Sequence, residues 1–434
     1  MKLNKCVFVS LFSLATVFSH AQGTWLNNRL IKLGVSSIRK IDNTFFKEYF
    51  EVSFEQPVDH KNPKAGKFMQ RFTIGFNDTL MPTVLETDGN GFEWQVKKGY
   101  INELAYRIKG NMVVVEHRYF GKSIPEKPDW KYCTIEQNAA DVHAIKEFVS
   151  KMFKGKWLLY GSGRSGQAAL AYKMNFPDDV DGTVVMGTPV RKPSGDSRLD
   201  EFMKKMGATK CGGYIEKFQQ EMLDRKAAML PVFTEFITQK KFTYTKTNLD
   251  IEALYDYCVL YYSFCFWQGG FACVDIPIPD SHENIMVREL VKVVSPRYYS
   301  DESIERLRAS HYLMYSQLAP YELITTPFKG KLKLKDYSNT RFLPEGIKPK
   351  FNSTYLEELN GFLKKSKARN IIFIYGENDP WASMQVDVVS ENGQTKYIIP
   401  NGSNVSMLKE LKPEHLEELA KTVGGWIGVN LKSK

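Results

Sequence analysis

The sequence predicts an α/β fold, a wound, mostly parallel sheet with a largely helical cap insertion. Three observations carry that reading. Short, continuous apolar runs at 112–115, 157–160, 183–186 and 371–375 have the character of strands buried on both faces. Helical patterns separate them, and strands alternating with helices point to a parallel sheet. Residues 195 to about 345 then change character, becoming mainly helical and rich in Lys, Glu and aromatics.

The chain begins with Lys2 and Lys5, an apolar run over 7–18, and the small-residue sequence Ser19-His20-Ala21 before Gln22. This reads as a secretory signal peptide over 1–21. The run is too short to span a bilayer. No other stretch is long and apolar enough for a membrane span, so the expectation is an exported protein, periplasmic or extracellular. The expected organisation is a first core part at 22–194, a helical cap insertion at 195–345 and a second core part at 346–434. A hydrophobic content of 43% with 13% aromatics marks an ordered globule. The net charge of +10 comes from lysines spread along the chain with no accompanying motif, which argues against nucleic-acid binding. Five cysteines follow the signal. Export permits disulfides among Cys211, Cys258, Cys265 and Cys273, and an odd count leaves at least one thiol free. No CxxC or histidine cluster suggests a metal, and no cofactor is expected.

In order along the chain, strands are expected at 49–54, 68–74 and 83–86, followed by the turn Asp88-Gly89-Asn90-Gly91. That turn either supplies an oxyanion-binding N–H or is an ordinary turn. Residues 93–108 read as a helix and 112–115 as a strand. Residues 134–153 read as an amphipathic helix, with Thr134 and Gln137 spaced as a capping box. Within the helical region, residues 255–271 are crowded with aromatics, including Phe264, Phe266 and Trp267. They suit either a cap core or an apolar ligand lining. A strand at 396–399 and a helix at 413–423 close the chain.

The stretch 156–174, KWLLYGSGRSGQAALAYKM, organises the rest. A strand, three glycines in six residues (Gly161, Gly163, Gly166) and a small-faced helix form the context of a nucleophile elbow, G-x-S-x-G. If Gly161 opens the turn, the nucleophile position is Gly163, which has no hydroxyl. If the frame slides to Gly163-Arg164-Ser165-Gly166-Gln167, the position is Ser165. A plain βα turn is the remaining alternative. Further on, Gly376-Glu377-Asn378-Asp379-Pro380-Trp381 follows a strand, where a triad acid would stand. Pro400-Asn401-Gly402-Ser403-Asn404 follows the next strand, where a triad histidine would stand, and offers Asn404.

Several motifs together resemble one family. They are Phe54-Glu55-Gln56-Pro57-Val58-Asp59-His60 with residues 66–71 after it, Glu116-His117-Arg118-Tyr119-Phe120-Gly121-Lys122-Ser123, and Thr134-Ile135-Glu136-Gln137-Asn138-Ala139-Ala140-Asp141. Phe176-Pro177-Asp178-Asp179-Val180-Asp181-Gly182, Phe266-Trp267-Gln268 and the Asp379 loop continue the likeness. The chain resembles the secreted prolyl tripeptidyl and tetrapeptidyl aminopeptidases of the α/β-hydrolase superfamily. Lysosomal prolyl carboxypeptidase and dipeptidyl peptidase enzymes are more distant likenesses. The resemblance implies an α/β-hydrolase sheet with a helical cap, a serine–aspartate–histidine triad, and cleavage of proline-containing peptides near the N-terminus. It also places the family serine on Gly163 and the family histidine on Asn404, leaving Asp379 as the one retained triad member.

A serine needs a neighbouring base to become nucleophilic, and an asparagine amide cannot take and return a proton. The sequence therefore leads to an exported, serine-peptidase-like protein that is catalytically silent and keeps a cleft for peptides or a protein partner, with Trp267 and Trp381 as candidate binding residues. The alternative is an active aminopeptidase with a rearranged nucleophile, Ser165 or Ser162. Of the histidines, only His415 follows Asp379, and it falls in the last expected helix.

Overall fold

The computed structural model describes residues 24–35 and 37–431, so the expected signal at 1–21 lies outside the described residues. The first elements are α1 (Trp25–Lys32), β1 (Ser37–Lys40), β2 (Glu48–Pro57), β3 (Lys67–Phe76) and β4 (Thr83–Asp88). Next come α2 (Glu103–Ile108), β5 (Asn111–Glu116), α3 (Ile135–Ser150), β6 (Trp157–Ser162), α4 (Arg164–Asn175) and β7 (Gly182–Met186). Seven helices follow: α5 (Arg198–Gly207), α6 (Lys210–Asp224), α7 (Lys226–Lys240), α8 (Ile251–Gly269), α9 (Glu283–Val293), α10 (Asp301–Leu313) and α11 (Thr354–Phe362). The chain closes with β8 (Ile371–Gly376), β9 (Gln394–Ile399) and α12 (Pro413–Ile427).

Nine strands form one sheet in the order β1-β2-β3-β5-β4-β6-β7-β8-β9. The pairs β1–β2, β2–β3 and β3–β5 are antiparallel, and every pair from β5 to β9 is parallel. The sheet is thus mostly parallel, and its central strands are the continuous apolar runs. All side chains of β4, β5, β7 and β8 are buried, as a sheet covered on both faces requires.

Alternation sorts each strand between two cores. Leu159, Val113, Val115, Val185 and Phe373 face one layer with α3, α4 and α11. Leu158, Met112, Val114, Val184 and Ile374 face the other with α2 and α12. A third core belongs to the helices between β7 and β8. It is built on the aromatic helix α8, where Tyr255, Tyr257, Tyr262 and Phe266 are fully buried. Each such side chain contributes about 1.5–3 kcal/mol of hydrophobic stabilisation.

Local chemistry explains where the chain departs from expectation. The helix expected over 93–108 exists only at Glu103–Ile108. Gly99 turns at φ 77, and Asn102 Oδ1 caps the helix by accepting from Leu104 N (2.8 Å) and Ala105 N (3.3 Å). Half of the expected capping box forms on α3, where Thr134 Oγ1 accepts from Gln137 N at 3.2 Å. The other half does not, because the Gln137 amide donates to Asp59 (2.6 Å) and accepts from His60 N (3.0 Å). Helix α1 and strand β1 have no counterpart in the sequence reading. Helix α1 is held by the Glu48 carboxylate, which accepts from Leu26 N at 3.0 Å. A disulfide joins Cys211 to Cys273, while Cys133, Cys258 and Cys265 are free thiols. Among the described residues, no helix is long and apolar enough to cross a membrane.

Candidate functional site

Strand β6 runs two residues further than its apolar stretch, through Ser162, and the chain then turns at Gly163 into α4. Gly163 has φ 54 and ψ −116, a conformation that costs glycine little and strains any other residue. Of the two frames the sequence allows, the backbone puts Gly163 at the apex. Gly161 lies inside the strand, where an added Cβ would meet the Ser165 carbonyl oxygen at 2.5 Å. The glycine there lets the first turn of α4 close down on β6.

Beyond β8, Asp379 opens a short helical turn and accepts a hydrogen bond from Trp381 N on Oδ1 at 3.1 Å. Its other oxygen accepts from Asn404 Nδ2 at 2.8 Å. Asn404 sits in the loop after β9, where its own N–H donates to the Gln268 carbonyl at the end of α8 (3.1 Å). A Cβ placed on Gly163 would lie 3.7 Å from Asn404 Oδ1, with nothing else within 4 Å. Gly163, Asn404 and Asp379 therefore stand in a row at the C-terminal edge of the sheet, with open space at the apex. Asp379 is fully buried, and burial pushes its carboxyl up to about 7 against the Asn404 hydrogen bond.

The two alternative serines are placed differently. Ser162 lines the cavity described below. Ser165 is buried in the first turn of α4, and its Oγ accepts from Gly89 N at 3.2 Å. The Gly89 N–H, one of the donors the Asp88–Gly91 turn could have offered to an oxyanion, is thus engaged. Among the described residues no serine hydroxyl is hydrogen-bonded to a histidine. His60 and His143 pair with Asp141 (2.7 Å) and Asp179 (2.6 Å). His415, in α12, packs at a tilt against the Tyr397 ring of β9, 5.1 Å between centroids. His117 and His311 are buried with Nε2 unpaired. Burial, assisted by the Arg164 charge, lowers both to about 3, so they are neutral and very weak bases.

A cavity of about 600 Å³ opens between this edge of the sheet and the overlying helices. Its floor includes Ser162, Gly163, Arg164 and Asn404. One wall is a single face of α8, formed by Tyr261, Phe264, Cys265 and Gln268 at helical spacing. Trp381 lines it too, edge-on to Phe264 at 5.1 Å. Trp267 does not line it. It lies one position off the cavity-facing stripe of α8 and packs edge-on to Phe266 in the helical core, 8% exposed.

The charged lining residues are Glu86, Asp88, Arg164 and Arg191. Burial raises Glu86 and Asp88 to about 7, with the Glu116 charge adding to the effect on Asp88. The sequence marked the aromatic crowding of residues 255–271 but not which face of α8 meets the cavity, because the helix is apolar on nearly all sides. Arg191 carried no signal, since only the strand order brings the loop after β7 to the cavity. Among the described residues no cluster of His, Cys, Asp and Glu could hold a metal ion.

A sheet of this order, with a strand-to-helix elbow and carboxylate and third-residue loops after later strands, is the α/β-hydrolase arrangement. The chain belongs to the PS-10 peptidase S37 family, whose model matches residues 21–431. It is similar to the prolyl tri/tetrapeptidyl aminopeptidase of Streptomyces mobaraensis, at 26% identity over 88% of this chain and 80% of that protein. It is also similar to the lysosomal Pro-X carboxypeptidase of Mus musculus, at 24% identity over 79% of this chain and 80% of that one. Among solved structures it is similar to that described as the crystal structure of VinJ, with 13% identity and a TM-score of 0.40 over 87% of this chain and 99% of that one.

Proposed function

We propose that this protein is an exported member of the peptidase S37 family that binds peptides, or a peptide-like segment of a protein partner, without hydrolysing them. In this reading residues 195–345 form the cap and the cavity beneath it is the binding cleft. The observation that carries the proposal is the row Gly163–Asn404–Asp379. A bare α-carbon stands where attack would begin, and an amide that can only donate to the carboxylate stands where a proton would be taken. Ser165 does not compensate, because its hydroxyl faces a backbone N–H rather than a base. Export is supported by the lysine-then-apolar pattern of residues 2–21 and by the Cys211–Cys273 disulfide.

The test pairs activity with binding. The purified protein is offered proline-containing tripeptide and tetrapeptide amides and a fluorophosphonate probe, and the same peptides are titrated by calorimetry. Binding without turnover or labelling is expected. Labelling that disappears in Ser165→Ala would establish a rearranged enzyme instead. The row also predicts a gain. Gly163→Ser combined with Asn404→His should acquire probe labelling that neither single variant shows, because triad members act as a unit. The space at the apex admits the serine side chain.

A further inference from the structure

Arg191, on the loop after β7, lines the cavity and is 8% exposed. Its guanidinium is almost without partners. Nη1 reaches the Pro320 carbonyl at 3.5 Å, Nη2 has no hydrogen-bond partner, and no carboxylate of the described residues forms an ion pair with it. Asp196, whose field it feels, is taken by Arg198 through two bonds of 2.8 Å. A buried cation without a counter-ion is costly, and burial accordingly lowers the Arg191 pKa. The one group over which it lies is the Trp381 ring, 5.9 Å from the guanidinium carbon. Trp381 in turn donates its N–H to Asp379. Arg191 thus stands on the Asp379 side of the row, beside an aromatic wall of Phe264, Tyr321 and Trp381.

We infer that Arg191 is the anchor for a ligand carboxylate, the free C-terminus of a short peptide whose apolar last residue rests on the Phe264–Tyr321–Trp381 wall. The inference rests on the peptide-binding reading above and names the end of the peptide that is read. A planar guanidinium with free N–H groups matches a carboxylate in two parallel hydrogen bonds. Filling this place with a ligand anion removes the unpaired charge. Arg164, the other cavity arginine, is already engaged by Asn90 Oδ1 at 2.9 Å and serves as the contrast.

The experiment compares proline-containing tripeptides as free acids and as C-terminal amides by calorimetry. The acid is expected to bind the parent protein about tenfold tighter or more, the usual worth of a hydrogen-bonded charge. Arg191→Gln should abolish that preference, so that acid and amide bind alike, with a melting temperature unchanged or raised. Arg191→Lys, which keeps the charge and loses the fork, should retain part of the preference. Equal binding of acid and amide to the parent overturns the inference while leaving the peptide-binding reading standing. A preference that survives Arg191→Gln overturns it as well, and so does an Arg191→Gln protein that melts well below the parent, which would mark a structural cation. If neither peptide binds, both readings fall together.

Discussion

Two buried arginines, Arg118 and Arg191, show opposite chemistry in one molecule. Arg118 follows β5 and is 2% exposed, and each of its five N–H groups has an acceptor. Two go to the Asp141 carboxylate at 2.7 Å each, and three to the carbonyls of Val58, Tyr132 and Pro57. Asp141 is further held by His60 at 2.7 Å. That network locks the loops after β2 and β5 against α3, and nothing in it is left over. Arg191 is nearly as buried and has one long contact. The difference separates a buried charge that is satisfied within the chain from one that is not, and it is the second kind that we pair above with a ligand carboxylate.

The largest effect should come from breaking the satisfied network. Arg118→Ala leaves Asp141 buried without its main partner and should cost about 3–5 kcal/mol, read as a fall in the urea midpoint. An equal loss in Arg191→Gln would erase the distinction.

A smaller effect sharpens it at the cavity. Asp88 Oδ2 has no partner, while Oδ1 accepts from Asn90 N and Gln95 Nε2 at 3.4 Å each. Its folded pKa of about 7 lies above the unfolded value, so the folded state holds the extra proton. The stability this lends is complete below the unfolded pKa of about 3.9 and is lost as pH rises through about 7. Asp88→Asn keeps the Oδ1 bonds and cannot ionise. It should be more stable than the parent by a few kcal/mol at pH 8, on the order of the shift itself, and equal to it near pH 4. Thermal melts of both proteins across that range check the sign.

The smallest effect belongs to the scaffold again. Thr134→Ala removes the cap of α3, the helix that carries Asp141, and should cost about 1 kcal/mol in chemical denaturation.

The sheet was legible because burial on both faces writes long apolar runs, and the elbow because three glycines in six residues admit few backbone paths. The segment at 93–101 was not, since its apolar spacing imitates a helix while Gly99 and the Asn102 cap restart the chain. Helix α1 was missed because what holds it is a carboxylate on β2, a contact no local pattern announces. At the cavity, the aromatic crowding of 255–271 was legible, but separating Phe264, which lines the cavity, from Trp267, which does not, needed the position of the sheet. Arg191 and His311 lie on elements whose approach to Gly163 is fixed only by tertiary packing.

The bond from Asn404 N–H to the Gln268 carbonyl ties the last sheet loop to the end of an aromatic helix some 130 residues earlier in the chain. That link passes through main-chain atoms alone. Whatever side chain is written at 404 is delivered to the same spot beside Asp379, so an amide and an imidazole can be exchanged there without rebuilding the fold. The residue at 404 is therefore set by its codon alone, while its address beside Asp379 is set by the backbone.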